Sequence, residues 1–170
     1  MDSKTIQMIE SIKNDVRSKT VTVCGKMKYE DKMRTIAAKL EVDNGWNLLI
    51  PIGVEDKLNI KINDDKMDTL RYIHFNKIYK SDAILVYVDK DNTFIDSYNI
   101  MNEILAALTY EKEIMFTRLL NVATIQKLTG HVNYVMGGFG KRFKVIRFNT
   151  ITYNDFTYYT LDYAVLREEE

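Results

Sequence analysis

Apolar residues recur at helical spacing early in the chain, at Ile6, Ile9, Ile12 and Val16, which predicts a helix over Thr5 to Arg17. The period then changes. Thr20-Val21-Thr22-Val23-Cys24 is a β-branched run with strand character that stops at Gly25, and helical spacing returns after Glu30 at Met33, Ile36, Ala37 and Leu40. Strand, glycine turn and helix over residues 20–42 form the front of a βαβ unit. A second strand, Trp46 to Ile50, ends against Pro51 and Gly53, and the mostly polar Glu55 to Asp68 is predicted as loop. Leu70, Ile73, His74, Lys77 and Ile78 mark one side of a helix that ends near Lys80. Ala83-Ile84-Leu85-Val86-Tyr87-Val88 is almost continuously apolar, as a parallel strand covered on both faces must be. A polar loop, Asp89 to Asp96, leads into an apolar helix from Ser97 to Tyr110 and a strand from Glu113 to Thr117. The remainder predicts a helix over Leu119 to Leu128, a glycine-rich loop Met136-Gly137-Gly138-Phe139-Gly140, and an extended aromatic stretch from Arg142 to Leu166.

Strands alternating with helices predict an α/β fold, a Rossmann- or flavodoxin-like three-layer sandwich around a mainly parallel sheet of about five strands, with the aromatic tail appended. A chain of 170 residues is one domain's worth of material, so residues 1–170 are expected to share a core. Ligands in such sheets bind beyond the carboxyl ends of the strands, near a switch in strand order. Gly25 to Tyr29, Asp89 to Ser97 and the start of the helix bearing Glu103 would meet there.

Charge narrows the partners. The 24 basic and 24 acidic side chains cancel, so the chain lacks the cationic excess with which binders of long nucleic acid displace counterions. A small anion needs only a local cluster of lysines. No apolar run approaches the roughly 20 residues of a membrane span, and residues 1–20 lack the uninterrupted apolar stretch of a secretion signal, so a cytoplasmic protein is expected. The single cysteine, Cys24, has no partner for a disulfide, and without a Cys/His cluster in the sequence no metal site is expected.

Three residue groups could carry chemistry. Glu103 sits in an otherwise apolar helix beside Ile100 and Ala107, at the border of the buried face; such a carboxylate is a nucleophile or base in a cleft, or the ordinary partner of a surface lysine. His74 lies on the helix that feeds the most apolar strand, where imidazole serves as a proton donor or as a hydrogen-bonded structural residue. His131, in the tail, offers less. Lys26, Lys28 and Lys141 stand at or near glycine turns, the first two where a strand hands over to a helix N-terminus that favours anions. Neither GxGxxG nor GxxxxGK[ST] occurs, so a phosphate ester smaller than a dinucleotide is what remains.

Val23-Cys24-Gly25-Lys26-Met27-Lys28, Ile73-His74-Phe75-Asn76-Lys77-Ile78 ahead of Ser81-Asp82-Ala83-Ile84-Leu85-Val86, then Ser97 and Asn102-Glu103-Ile104-Leu105-Ala106-Ala107, resemble in order and spacing the nucleoside 2-deoxyribosyltransferase superfamily. The likeness covers roughly residues 19–117, with an echo at Gly140-Lys141-Arg142-Phe143-Lys144-Val145. It is closest in pattern to the 2′-deoxynucleoside 5′-monophosphate N-hydrolases. The resemblance implies that Glu103 is the catalytic carboxylate and that the turn after the first strand holds the 5′ end of a deoxynucleotide or deoxynucleoside. Where the transferases carry an aspartate for a free 5′-hydroxyl, this chain has Ser97, as the monophosphate hydrolases do; a hydroxyl can donate to a phosphate that a carboxylate would repel.

The chain also departs from that pattern. His74 stands where the family usually has an acid facing the leaving base, Thr22 replaces a common aromatic residue, and Lys26 and, loosely, Lys141 replace serines. The implied site is therefore Glu103 and His74 for catalysis, with Gly25, Lys26, Met27, Lys28, Asp96, Ser97 and Lys141 binding substrate, and no cofactor. The implied reaction is hydrolysis of the N-glycosidic bond to free base and deoxyribose 5-phosphate. Base exchange by a transferase, or an inactive nucleotide-binding or sensor protein of the same fold, are the alternatives. Phe143, Phe148, Tyr153, Phe156, Tyr158, Tyr159 and Tyr163 give the tail more aromatic surface than a peripheral segment is expected to hide, which predicts a homodimer or higher oligomer. In that family the pocket is commonly completed by a neighbouring subunit, here through Lys141.

Overall fold

The structure, a computed structural model, describes residues 2–12, 19–51, 53, 57–153 and 155–167. The chain opens with α1 (Ser3–Ile12), none of whose side chains is buried, and the part of the predicted first helix from residue 13 onward lies outside the described residues. Four short strands, β1 (Thr20–Cys24), β2 (Asn47–Leu49), β3 (Ala83–Val86) and β4 (Glu113–Phe116), run parallel in the order β2-β1-β3-β4. Every residue of β3 is buried, as its unbroken apolar run requires.

Alternate side chains of these strands feed two cores. On one face Val21, Val23, Leu85 and Met115 pack against Met33, Ala37 and Leu40 of α2 (Glu30–Asn44). On the other, Ile84, Val86, Ile114 and Phe116 meet Ile78 of α3 (Asp64–Lys80), Ile100, Ile104 and Leu108 of α4 (Tyr98–Thr109), and Leu128, Val132 and Met136 of α5 (Val122–Gly137). Helix, sheet and helix make the three layers of a Rossmann/flavodoxin-like fold. Among the described residues no helix is long and apolar enough to cross a membrane.

The sheet has six strands rather than about five. The aromatic tail divides into β5 (Lys141–Tyr153) and β6 (Phe156–Arg167), an antiparallel hairpin that extends the sheet when β6 pairs antiparallel with β4 through Met115↔Thr160 and Phe116↔Tyr159. This hides much of the aromatic surface within one chain. Phe143 and Tyr158 are buried, Phe148 packs 5.9 Å from Phe116, and Tyr163 sits 6.0 Å from Phe143 while donating its hydroxyl to the Lys112 carbonyl at 2.6 Å. Burial, then the charge of Glu111, pushes the Tyr163 phenol up to about 12, so it stays a donor at any working pH.

Two helix boundaries also differ from expectation. α3 starts at Asp64, within the predicted loop, because Asn63 accepts from the Lys66 amide at 3.0 Å and Asp64 and Asp65 complement the first turn. The Glu55 part of that loop lies outside the described residues. α5 runs past Leu128 and takes in Met136 and Gly137, because Val132 and Met136 continue the buried stripe one and two turns on.

Candidate functional site

The order β2-β1-β3-β4 reverses direction between β1 and β3, and ligands of open α/β sheets bind outside the carboxyl ends of the strands at such a switch. Gly25 follows β1 there. A side chain at this position would bring a Cβ to 2.5 Å from Met33 Sδ and 3.0 Å from Tyr87 Cβ, so glycine is what lets the turn pass between α2 and the end of β3. The chain then makes a single 3-10 turn, Met27–Tyr29, and enters α2.

Three side chains from distant parts of the sequence converge beside that turn. Cys24 closes β1 on the face covered by α3 and α4. His74 comes from α3, with Nε2 3.9 Å from Cys24 Sγ and 3.2 Å from Glu103 Oε1. Glu103 comes from α4, held by the buried Ile100, Ile104 and Ala107 around it. The His74 and Glu103 side chains are each 15% exposed. Glu103 Oε2 is buried and has no hydrogen-bond partner. A carboxylate with one oxygen against an imidazole and the other unpaired is suited to meet a developing positive charge.

Cys24 is not a nucleophile here. Burial, reinforced by the Glu103 charge, pushes its thiol well above the ordinary range, and a protonated thiol is a poor nucleophile. The same ring nitrogen, Nε2, faces both Sγ and Oε1, whereas a cysteine–histidine–acid relay uses the two nitrogens separately. The three ligand atoms lie within 4.8 Å of one another. The fold thus assembles from β1, α3 and α4 a set of potential ligand atoms that the sequence keeps far apart.

A second group lies in the loop after β3. Lys26 Nζ donates to Thr93 Oγ1 at 3.0 Å, and Thr93 donates its hydroxyl and its amide to the two oxygens of Asp89 at 2.9 and 2.7 Å. Burial pushes the Asp89 carboxyl up, but the Thr93 hydrogen bonds, helped by the Lys26 charge, outweigh it and hold the group below the usual carboxylate range. Asn92, buried and left-handed at φ 56°, fixes the loop by accepting from the Asn121 amide at 3.0 Å. The 3-10 turn Thr93–Asp96 then delivers Ser97 to the N-terminus of α4, where its oxygen accepts from the Ile100 amide at 3.3 Å and its hydroxyl hydrogen can still be donated.

The other expected residues are more peripheral. Met27, Lys28 and Asp96 are exposed, and Lys28 Nζ stands 5.1 Å over the Tyr29 ring, which rests on Tyr87. Lys141 pairs with Arg167 at the end of the hairpin beside the amino ends of the parallel strands, so it lies away from its own chain's site. His131 is exposed on α5. A hollow of about 590 Å³ lined by Glu111, Arg147, Asp162 and Tyr163 is also at that remote end, whereas one of about 330 Å³ lined by Tyr87, Thr117, Arg118 and Tyr159 opens at the carboxyl ends. Sequence reading missed Cys24, Asp89 and Thr93. An acid four residues before a threonine in a polar loop is a turn-capping pattern that could have flagged the last two.

No family model and no curated protein matches the chain. Among solved structures it is similar to the CMP N-glycosidase BcmB of Clostridium botulinum, with 19% sequence identity and a TM-score of 0.41 over 65% of this chain and 80% of that one.

Proposed function

We propose that the protein hydrolyses the N-glycosidic bond of a 2′-deoxynucleoside 5′-monophosphate, releasing free base and deoxyribose 5-phosphate. The observation that carries this reading is the Glu103 carboxylate, set 3.2 Å from His74 with its second oxygen unpaired, at the switch point of the sheet. In the first step a Glu103 oxygen bonds to C1′ as the bond to the base nitrogen breaks, and the departing nitrogen takes the bonding pair and a proton from His74. In the second, water attacks C1′, its proton passes to His74, and the carboxylate leaves. Two displacements give net retention, as in retaining glycosidases.

Ser97 at the N-terminus of α4, with Lys26 and Lys28, would receive the phosphate. On a helix the step from Ser97 to Glu103 is a rise of about 9 Å, a separation on the scale of a sugar phosphate. Lys141 enters the reading only as a residue of a second chain, because its own chain holds it at the far end of the hairpin.

Incubation with the common deoxynucleoside monophosphates, followed by chromatography for free base, tests the proposal. Base release from at least one monophosphate, faster than from its unphosphorylated nucleoside, is expected. Faster release from nucleosides, or exchange with an added base, would move the reading to a transferase. Ligand-dependent melting without release would identify a nucleotide binder.

A further inference from the structure

We propose that Cys24, His74 and Glu103 form a binding site for a zinc-class divalent cation, and that the cation and the glycosidic reaction are alternative uses of Glu103. The site stands on three observations. Its donors are one sulfur, one imidazole nitrogen and one carboxylate oxygen, the mixed set that borderline cations take with three protein ligands and an open fourth position. The separations of 3.9 Å for sulfur to nitrogen and 3.2 Å for nitrogen to oxygen are close to the edges of a tetrahedron whose centre lies roughly 2.0–2.3 Å from its ligands, and the sulfur-to-carboxylate edge, within 4.8 Å, has to shorten on binding. Finally, Glu103 Oε2 is buried with no hydrogen-bond partner, and a bound cation would satisfy that carboxylate.

The donor set also selects. Mg²⁺ and Ca²⁺ take oxygen ligands and gain nothing from a thiol, so they are excluded by chemistry rather than by size. Binding forms Sγ–metal, Nε2–metal and carboxylate–metal bonds; the thiol proton leaves to solvent, His74 carries its remaining hydrogen on Nδ1, and nothing is oxidised or reduced. The His74 and Glu103 side chains are 15% exposed, whereas Cys24 is fully buried. The competition with catalysis rests on the proposed function above, because a cation bonded to the carboxylate withdraws the negative charge that would meet C1′ and occupies the space beside it.

Co²⁺ is the probe for the site, since it takes zinc geometry and gives a near-ultraviolet thiolate charge-transfer band. One equivalent of Co²⁺ should produce that band with the whole chain, and Zn²⁺ should displace it. Cys24→Ser should abolish the band, and both Cys24→Ser and His74→Gln should weaken Zn²⁺ binding at least tenfold by calorimetry. His131→Gln, which alters the exposed histidine on α5, should change neither. If Cys24→Ser does not fold, as circular dichroism would show, His74→Gln alone decides. Co²⁺ binding without a thiolate band, or affinity that depends on His131 and not on His74, overturns the site. Stoichiometric Zn²⁺ should halt base release and a chelator restore it; undiminished release with the cobalt band present overturns the competition. Should no monophosphate release base even without metal, the spectrum still judges the site, and only the glycosidic reading fails.

Discussion

Nε2 of His74 lies 3.2 Å from Oε1 of Glu103, and the two side chains reach each other from neighbouring helices on one face of the sheet. Neither residue depends on a flexible loop for its position. α3 and α4 pack through Phe75, Ile78, Ile104 and Leu108 into the same core, so the distance between the pair is set by helix packing.

Glu103→Gln keeps the shape of the side chain and removes the charge that would meet an electron-poor C1′. Base release should fall by about a hundredfold or more, while nucleotide-dependent melting persists. Chromatography of released base and a thermal melt of the same preparation check both halves. Near wild-type turnover would remove Glu103 from the mechanism.

Ser97→Asp is a clean test of the 5′ end because aspartate caps a helix as well as serine does. The fold should therefore survive, and the preference for monophosphates over nucleosides should flatten or reverse as a negative charge opposes the phosphate. An unaltered ratio of kcat/KM values would place the phosphate elsewhere.

Acid should weaken the loop after β3. As pH falls, the unfolded chain takes up the Asp89 proton first, near its ordinary value of about 3.9, while the folded carboxyl, held lower, resists. The stability it contributes is thus present above that value and lost as pH drops through the folded one. Asp89→Asn should flatten the acid limb of the melting temperature below about pH 4; an identical limb would show that the Thr93 and Lys26 contacts carry no linkage.

Gly25→Ala forces a methyl group against Met33, which is buried, and against Tyr87. Overpacking of this kind costs about 1–3 kcal/mol, and the melting temperature should fall accordingly. Base release should fall further than stability explains, because the turn carries Lys26 and abuts Cys24. Full activity at reduced stability would separate the turn from the site.

Light scattering should give a mass of at least a dimer, and Lys141→Ala should weaken monophosphate binding more than nucleoside binding, if a second chain supplies that lysine. A monodisperse mass near 19.9 kDa with activity intact would show that one chain suffices.

Much of the fold was legible because burial leaves a periodic trace. β3 announced itself as an apolar run, α2 by Met33, Ala37 and Leu40, and α4 by its apolar face. What stayed hidden was non-periodic or non-local. The tail read as one extended stretch because pairing partners, not composition, decide where a hairpin turns and which strand it joins. Thr22, an apparent polar interruption in a buried strand, is explained only by its 2.6 Å bond to Ser81, which itself donates to the Lys77 carbonyl at 2.7 Å. Glu103 and His74 could be singled out by residue type and setting, but their contact with each other and with Cys24 depends on how α3 and α4 pack, which no spacing encodes.

The hairpin leaves β5 as an open border of the sheet, thirteen residues long, and an open border of that length is a template on which other extended chains can grow. Lys141, Arg142, Lys144 and Arg147 are strung along it, and its pairing with β6 is irregular between Val145 and Arg147. Two copies brought border to border in parallel register would face cation against cation across a kinked line. Stacking of borders in parallel register is thus disfavoured, while a pair of chains stays free to meet antiparallel along the border or through other faces.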